Sequence, residues 1–167
     1  MLSSLDSLRD ITFVSIALRM VMSFLSNHDM DRIAGAFVTE NYMKMALIEA
    51  QEAYNKGEIP VGAVVVWNGR IIARAHNLTE TLHDVTAHAE MQAITAAANT
   101  LGGKYLQDCT LYVTVEPCMM CAGAIGWSQL SRIVYGASDD KRGYSVFTNR
   151  HPFHPKATIT PGVLADE

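Results

Sequence analysis

Two short segments in the middle of the chain constrain it most. Residues 88–90 read His-Ala-Glu, and residues 117–121 read Pro-Cys-Met-Met-Cys. Together they offer one imidazole and two thiols, which bind zinc in many proteins, and a carboxylate that the metal does not need. Structural zinc sites usually have four protein ligands, whereas three ligands leave a position for water. The two segments therefore predict a catalytic zinc site, with His88, Cys118 and Cys121 as ligands.

Both segments have features of helix beginnings. Pro117 suits the first position of a helix, because it has no N–H to leave unpaired and its φ is already helical. Cys118 and Cys121 are then one turn apart at the positive end of the helix dipole, which favours the thiolates that bind metal. Thr86 is expected to cap a second helix, whose first turn would hold His88. Two helix beginnings are thus predicted to face one metal.

The cysteines have two other interpretations, a structural zinc ribbon and a redox dithiol. A ribbon needs a second ligand pair, and the chain has three cysteines in all. A redox dithiol does not explain His88 and Glu90. Cys109, the remaining cysteine, is expected to be an ordinary buried residue. Without a disulfide scaffold, the chain is expected in a reducing compartment, the cytoplasm.

The H-x-E and P-C-x-x-C pattern resembles that of the zinc-dependent cytidine and nucleotide deaminases. Within that family, the flanking residues are similar to those of the tRNA adenosine deaminases, which convert adenosine to inosine at the wobble position of the anticodon. The resemblance runs from about Tyr42 to the C-terminus. The matching stretches are residues 59–64 (IPVGAV), 86–90 (TAHAE), 111–124 (LYVTVEPCMMCAGA) and 161–167 (PGVLADE).

The resemblance implies a hydrolytic deaminase with Zn²⁺ as cofactor and a tRNA anticodon stem-loop as partner. Glu90 would be the catalytic residue, taking a proton from a zinc-activated water and delivering protons to the ring and the leaving amine. A homodimer is also implied. The residues expected to contact the substrate are Asn77, Ala89 and Asp139, and the amide of Asn77 can serve as donor and acceptor.

Two other functions stay open at this point. One is deamination of a free nucleobase or nucleoside, such as guanine or cytosine, because guanine deaminases have similar motifs and residues 125–127 (IGW) resemble theirs. The other is an RNA-binding or partner subunit that keeps zinc for structure. The presence of Glu90 argues against the second, because a protein without activity needs no proton shuttle.

The net charge of −4 is unusual for a protein that binds tRNA, because phosphate contacts normally use clustered cations. A local basic patch would resolve this difficulty, and ordinary solvated surface is the alternative. The candidate residues all lie in the C-terminal third of the chain: Arg132, Lys141, Arg142, Arg150 and Lys156.

The order of the predicted elements indicates an α/β protein. They are a helix over residues 41–56, hairpin strands over 61–67 and 71–75 around Asn68-Gly69, a helix over 87–100, a strand over 110–115, the cysteine-bearing helix, and a strand over 132–137. Helices between the later strands allow parallel pairing, so the central sheet is expected to be mixed. The resemblance implies a three-layer α/β/α sandwich of the cytidine deaminase type.

The length of 167 residues, with 49% hydrophobic residues, fits one domain with a real core. That domain is expected to span residues 41–167 and to stop before the C-terminal helix of the family. Residues 1–40 have no counterpart in the family and are interpreted as an added helical extension, or else as an upstream segment outside the domain. Their apolar run, residues 11–25, contains Arg19 and is too short for a typical membrane span, so no membrane association is predicted.

Overall fold

The computed structural model of the chain describes residues 26–150 and 152–167. The chain divides into two compact units between Val38 and Thr39. The described part of the first unit is helical from Asn27 onwards. The apolar run predicted at residues 11–25 lies outside the described residues. Within the described ranges, no helix is both long and apolar enough to cross a membrane.

The described helices and strands alternate along the chain. In order, they are α1 (Asn27–Asn55), β1 (Gly62–Trp67), β2 (Arg70–His76), α2 (Thr79–Leu82), α3 (Ala89–Leu101), β3 (Cys109–Val115), α4 (Met119–Ser128), β4 (Arg132–Ala137), α5 (Tyr144–Phe147) and β5 (Thr158–Thr160).

The five strands form one mixed sheet in the order β2-β1-β3-β4-β5. Asn68 and Gly69 both have positive φ, which the tight hairpin turn requires, and β1 and β2 are antiparallel. Strand β1 also pairs antiparallel with β3. Helix α4 connects β3 to β4, and these two strands and β5 are parallel. The predicted mixed sheet is therefore confirmed.

Each face of the sheet is covered by a different set of helices. Because side chains alternate along a strand, neighbouring residues of β1 enter different cores. One core combines sheet residues with two side chains of α1: Val64, Val66, Tyr112, Val134, Met43 and Ala46. The other combines sheet residues with α3 and α4 and includes Val65, Leu111, Val113, Ile133, Ala93, Ala97 and Ile125. The predicted α/β/α layering is confirmed.

Helix α1 lies close to the beginning of β1. A Cβ built on Gly62 would overlap the carbonyl oxygen of Ala46 and the backbone nitrogen of Ala50. Glycine is therefore required at this position by the close approach of two backbones, although its own φ is ordinary. This contact fixes the position of the first residue of β1 against α1. Glu58 lies in the segment just before this strand.

Sequence patterns identified the elements of six or more residues and missed the shortest ones. The predicted strand over residues 132–137 has the observed bounds of β4. Helix α1 begins at Asn27, well before the predicted residue 41, because the sequence between them contains no proline and few other helix breakers. The short elements α2, α5 and β5 were not predicted. Each has three or four residues, which is too few to show a hydrophobic period.

Candidate metal centre

The imidazole of His88 and the thiols of Cys118 and Cys121 meet at one point. Nδ1 of His88 lies 3.7 Å from Sγ of Cys118 and 3.5 Å from Sγ of Cys121. All three possible ligand atoms lie within 4.8 Å of one another. Tetrahedral zinc, with bonds of about 2.0–2.1 Å to nitrogen and about 2.3 Å to sulfur, separates these atoms by about 3.6 Å. The two nitrogen–sulfur distances therefore fit a zinc ion bound through Nδ1 of the imidazole.

The ligands stand at the beginnings of two helices. His88 is the N-cap of α3 and Cys118 is the N-cap of α4, both with extended backbone. Their carbonyl oxygens accept the first helical hydrogen bonds, from Gln92 (3.1 Å) and Ala122 (2.8 Å). Neither side chain caps its own helix. An N-cap side chain usually accepts a bond from the helix, whereas here the imidazole and the thiol turn towards the metal cluster.

The predicted beginnings of both helices were wrong by two residues. Helix α3 begins at Ala89, so Thr86 is not its cap. The amide and hydroxyl of Thr86 instead donate to Oδ1 of Asp84, at 2.8 Å and 2.7 Å. Pro117 precedes the N-cap of α4 and is not its first helical residue. Helix-start patterns identify the right turn, but they do not distinguish a capping side chain from a metal ligand.

The two thiols are coupled to each other. A hydrogen bond from the Cys121 thiol lowers the pKa of Cys118 to about 5, although burial acts in the opposite direction. The same contact, together with burial, raises the pKa of Cys121. The pair therefore favours one thiolate before any metal is present. A bound divalent cation would remove the second proton, because zinc binds cysteine as thiolate.

Glu90 lies in the first turn of α3, and 4% of its surface is exposed. Burial raises the pKa of this carboxyl group. A raised pKa brings a carboxylate closer to the pH at which proton transfer in both directions is efficient. Glu90 lines a cavity of about 130 Å³ together with His88 and Cys118. The other lining residues are Ile59, Val61, Asn77, Val115, Glu116, Asp139 and Arg142.

Asn77 is held on one side of this cavity by a buried acid. Its Nδ2 donates to Oε2 of Glu58 at 3.1 Å and to the hydroxyl of Thr79 at 2.9 Å. Glu58 also accepts the backbone amides of Thr81 (2.7 Å) and Glu80 (3.1 Å). Burial raises the pKa of Glu58, but these hydrogen bonds outweigh that effect and bring it to about 2. The Asn77 amide nitrogen is thus directed towards Glu58 and Thr79, which leaves Oδ1 as an acceptor for a ligand.

Asp139 lies on the opposite side, after β4. Its Oδ1 accepts the backbone amides of Arg142 (2.9 Å) and Lys141 (3.0 Å). These bonds hold the pKa of the carboxyl group below its usual value, so Asp139 is ionised at neutral pH. Its own N–H donates to Oε2 of Glu116 at 3.3 Å. Asp139 and Arg142 both line the cavity.

Ala89 differs from the other predicted contact residues. It is the first residue of α3 and its side chain is fully buried. It belongs to the core between the sheet and helices α3 and α4. A contact from Ala89 to a substrate would therefore involve its backbone. The side chains of Asn77 and Asp139, by contrast, line the same cavity as Glu90.

Two residues of the site, Glu58 and Glu116, were missed from the sequence, whereas Arg142 was named only as a candidate for the basic patch. Glu116 directly follows the apolar strand β3, and an acid in such a position is a candidate for burial with hydrogen-bond partners. Two residues proposed for the basic patch have different surroundings. Arg132 donates to the hydroxyls of Thr39 and Thr160, whereas Arg142 lines the zinc cavity.

Comparison with known proteins agrees with this geometry. The zinc-binding region of the cytidine and deoxycytidylate deaminases matches residues 38–137. A tRNA-specific adenosine deaminase of Bacillus subtilis is 49% identical over 132 residues, which cover 77% of this chain and 82% of the relative. One of Aquifex aeolicus is 51% identical over 104 residues, which cover 62% and 69%.

Two solved structures are also similar. One, from structural studies of A-to-I editing by tRNA:A34 deaminases at the wobble position, has a TM-score of 0.70 and 41% identity, and the match covers 75% of this chain and 94% of that chain. Guanine deaminase from Bacillus subtilis has a TM-score of 0.58 and 45% identity, with coverage of 59% and 64%.

The family match includes both metal-binding segments and more than half of the chain. This chain therefore belongs to the cytidine and deoxycytidylate deaminase family. Its cofactor is Zn²⁺, for which His88, Cys118 and Cys121 are placed as ligands. It is a hydrolytic deaminase, an enzyme that acts on an exocyclic amine.

Proposed function

We propose that this chain deaminates adenosine to inosine at the wobble position of tRNA. The observation that carries the proposal is the position of Glu90, which is buried in the first turn of α3 and lines one cavity with the metal ligands. The substrate assignment is supported by the tRNA-specific adenosine deaminases, which are about half identical to this chain.

The residues are assigned the following roles. Bound zinc would supply Lewis-acid chemistry, lowering the pKa of water at the coordination position that His88 and the two cysteines leave open. Glu90 would transfer one proton of that water to the adenine ring nitrogen. It would transfer the second proton, from the hydroxyl added at C6, to the amine, which leaves as ammonia. Its burial supports this role, since a desolvated carboxylate binds a proton more readily.

The size of the cavity supports a single base as the reacting group. Its volume, about 130 Å³, is below the roughly 300–1,000 Å³ typical of pockets for drug-sized ligands. A base would therefore enter alone, flipped from its strand, while the rest of the RNA stays outside. Asn77 would accept a hydrogen bond from the nucleoside through Oδ1. Asp139 would contact the RNA at the cavity mouth, and the backbone of Ala89 would contact the base.

The substrate is tested by measuring inosine and ammonia formation by the zinc-loaded protein. The proposal expects inosine in an anticodon stem-loop with adenosine at the wobble position. A stem-loop with that adenosine moved into the stem, where it is paired, should not react. Free adenosine and cytosine serve as further controls. Failure of the wobble stem-loop to react, with a free base converted instead, would contradict the proposal.

Guanine deamination is the second candidate, because the guanine deaminase of Bacillus subtilis is 45% identical over the matched region. Both candidates use the same metal centre and the same proton shuttle. The two activities differ in what must surround the reacting base. An enzyme that acts on tRNA must accommodate the RNA strand outside the cavity, whereas one that acts on a free purine need not. Xanthine formation from free guanine, measured in the same assay, would favour this candidate.

We also propose that the protein is a homodimer that uses the exposed side of α4. Met119 and Met120 are 42% and 37% exposed, and Trp127 on the same helix is 86% exposed. Exposed tryptophan and methionine side chains on one helix are typical of protein interfaces. A second copy is the proposed occupant. Sedimentation of Trp127→Glu should give a monomer, while Tyr54→Glu, at an exposed aromatic of α1, should not change the mass.

The remaining assignments concern organisation and location. Residues 41–167 are proposed to form the deaminase domain, and residues 1–40 to be an added segment. A cytoplasmic location is proposed because the three cysteines are free thiols, two of which are needed for metal. Limited proteolysis tests the boundary, since cleavage before residue 41 should leave a fragment that retains zinc.

A further inference from the structure

Glu116 stands between the sheet and the metal centre. It follows β3 directly and precedes Pro117 and Cys118. Its N–H donates to the carbonyl of Ala137 at 2.8 Å, which continues the pairing of β3 with β4. Only 4% of its surface is exposed, and its side chain lines the zinc cavity. A buried carboxylate is costly unless it accepts hydrogen bonds, so its partners indicate its purpose.

The partners of Glu116 are the two ends of one loop. Its Oε2 accepts the backbone N–H of Asp139 at 3.3 Å, and its Oε1 accepts the backbone N–H of Ser145 at 2.9 Å. One carboxylate therefore joins the first and last residues of the segment 139–145, called here the clasped loop. The loop is also tied to the ligand segment, because the N–H of Tyr144 donates to the carbonyl of Pro117 at 3.0 Å.

The clasped loop is packed directly on this carboxylate. A Cβ built on Gly143 would lie 2.6 Å from Cδ and Oε2 of Glu116 and 2.6 Å from the carbonyl oxygen of Asp139. Real Cβ atoms do not approach other atoms so closely, so the loop can adopt this position only with glycine at residue 143. The shape of the loop and the position of the carboxylate thus determine each other.

The clasped loop forms one wall of the cavity. Asp139 and Arg142 line the cavity that contains Glu90, and Glu116 lines it beside them. The Asp139 carboxylate is itself fixed by the amides of Lys141 and Arg142. Movement of either loop end would therefore shift both charged side chains relative to the zinc centre.

We propose that Glu116 is a positioning residue, whose carboxylate clasps the loop 139–145 and so sets the positions of Asp139 and Arg142 against the bound nucleotide. It is not one of the three residues placed to bind the metal. It acts on substrate binding through the loop. This inference rests on the proposed function, because the clasped loop matters to catalysis only if the cavity binds the substrate.

The first test is Glu116→Gln. The amide keeps the shape and one acceptor oxygen, but its NH₂ group would face a backbone N–H, donor against donor. We expect KM for the wobble stem-loop to rise about tenfold or more, with a smaller change in kcat and full zinc content. Asp140→Asn is the matched control, because it removes an exposed carboxylate from the same loop, and it should leave both constants unchanged.

A second variant moves the loop without changing the acid. Gly143→Ala places a methyl group against the Glu116 carboxylate and should raise KM in the same way. A residue that only stabilised the fold would instead lower the melting temperature and the active fraction, reducing kcat at constant KM. If both variants gave that pattern, or kept wild-type constants, the proposal would be overturned.

Amide hydrogen exchange provides a readout that does not depend on activity. In Glu116→Gln, the amides of Asp139 and Ser145 should exchange faster than in wild type, and in Asp140→Asn they should not. If the amides of Asp139 and Ser145 exchanged at the wild-type rate in Glu116→Gln, the proposed role of the Glu116 carboxylate in holding the loop would be overturned. If the wild type deaminates none of the substrates offered, the proposed function fails, whereas an active wild type with unchanged KM in both variants contradicts this inference alone.

Discussion

The floor and the walls of the zinc cavity are built in different ways. The floor consists of His88, Glu90, Cys118 and Cys121, from two segments at the beginnings of α3 and α4. The walls depend on pairs that are distant in sequence. Glu58 holds Asn77 from 19 residues away, and Glu116 holds Asp139 from 23 residues away. The chemistry of this enzyme is therefore encoded in two short motifs, which the fold brings together from 30 residues apart, whereas the shape of its cavity depends on buried acids outside these motifs.

The two walls also differ from each other. Glu58 accepts four hydrogen bonds, from Asn77, Thr79, Glu80 and Thr81. Glu116 accepts two bonds from the clasped loop, one of them long at 3.3 Å. The Asn77 wall is thus the more strongly fixed. We expect changes in the floor to remove metal or chemistry, and changes in the walls to affect substrate binding.

The largest effect is expected from removing a metal ligand in the floor. Cys118→Ser should lose most bound zinc, activity and part of the thermal stability, because serine is a poor zinc ligand and the metal joins two helices. Metal analysis and thermal unfolding measure this. Cys109→Ala, at a buried thiol outside the metal cluster, should keep full zinc. Full zinc occupancy in Cys118→Ser would refute the proposed coordination.

The next largest effect is expected from a variant that distinguishes catalysis from zinc binding in the floor. Glu90→Ala should reduce kcat by about 10²–10⁴-fold, the usual contribution of a general acid–base group, while zinc content stays unchanged. Single-turnover inosine formation is the measurement. Glu80→Gln, which removes an exposed carboxylate near the site, should have wild-type activity. An unchanged rate in Glu90→Ala would rule out its role as the proton shuttle.

A smaller effect is expected in the Asn77 wall. Asn77→Ala removes one acceptor for the nucleoside, and a neutral hydrogen bond accounts for roughly 0.5–1.5 kcal/mol, or about a two- to thirteenfold change in kcat/KM. Steady-state kinetics with the wobble stem-loop test this. The control is Asn99→Ala, at an exposed position of α3, which should leave kcat/KM unchanged. A loss of zinc in Asn77→Ala would mean that metal binding in the floor depends on the Asn77 wall.

The smallest effect concerns the pH dependence of stability at the Asn77 wall. The pKa of Glu58 falls from 4.5 to about 2 on folding, so its ionised form stabilises the folded state above pH 4.5. That contribution decreases as the pH falls from 4.5 and disappears near pH 2. The melting temperature of wild type should therefore exceed that of Glu58→Gln above pH 4.5, with a difference that shrinks on acidification.

Glu80→Gln is the control for this measurement, because Glu80 is exposed and only its backbone amide contacts Glu58. Its difference from wild type should stay small at every pH. Loss of zinc in acid affects all three proteins and cancels in the differences. A wild-type advantage over Glu58→Gln that stayed constant down to pH 2 would mean that the Glu58 charge does not hold this wall.

Much of the fold followed from local pattern. Asn68-Gly69 specified the hairpin, and the apolar run at residues 132–137 specified β4. The beginnings of α3 and α4 were misplaced, because helix-start preferences assume that the side chain before a helix caps it. In this protein His88 and Cys118 occupy those positions with side chains that face a metal cluster.

The sequence by itself determined the metal centre and its chemistry, because the ligands and Glu90 lie within two short segments whose spacing follows from helix geometry. It also determined the mixed sheet, through the order of its elements. Only the tertiary structure decided that Nδ1 of His88 faces the sulfurs, that Asn77 presents an acceptor, and that Glu116 joins both ends of one loop. These features depend on hydrogen bonds between residues far apart in sequence, which no local periodicity records.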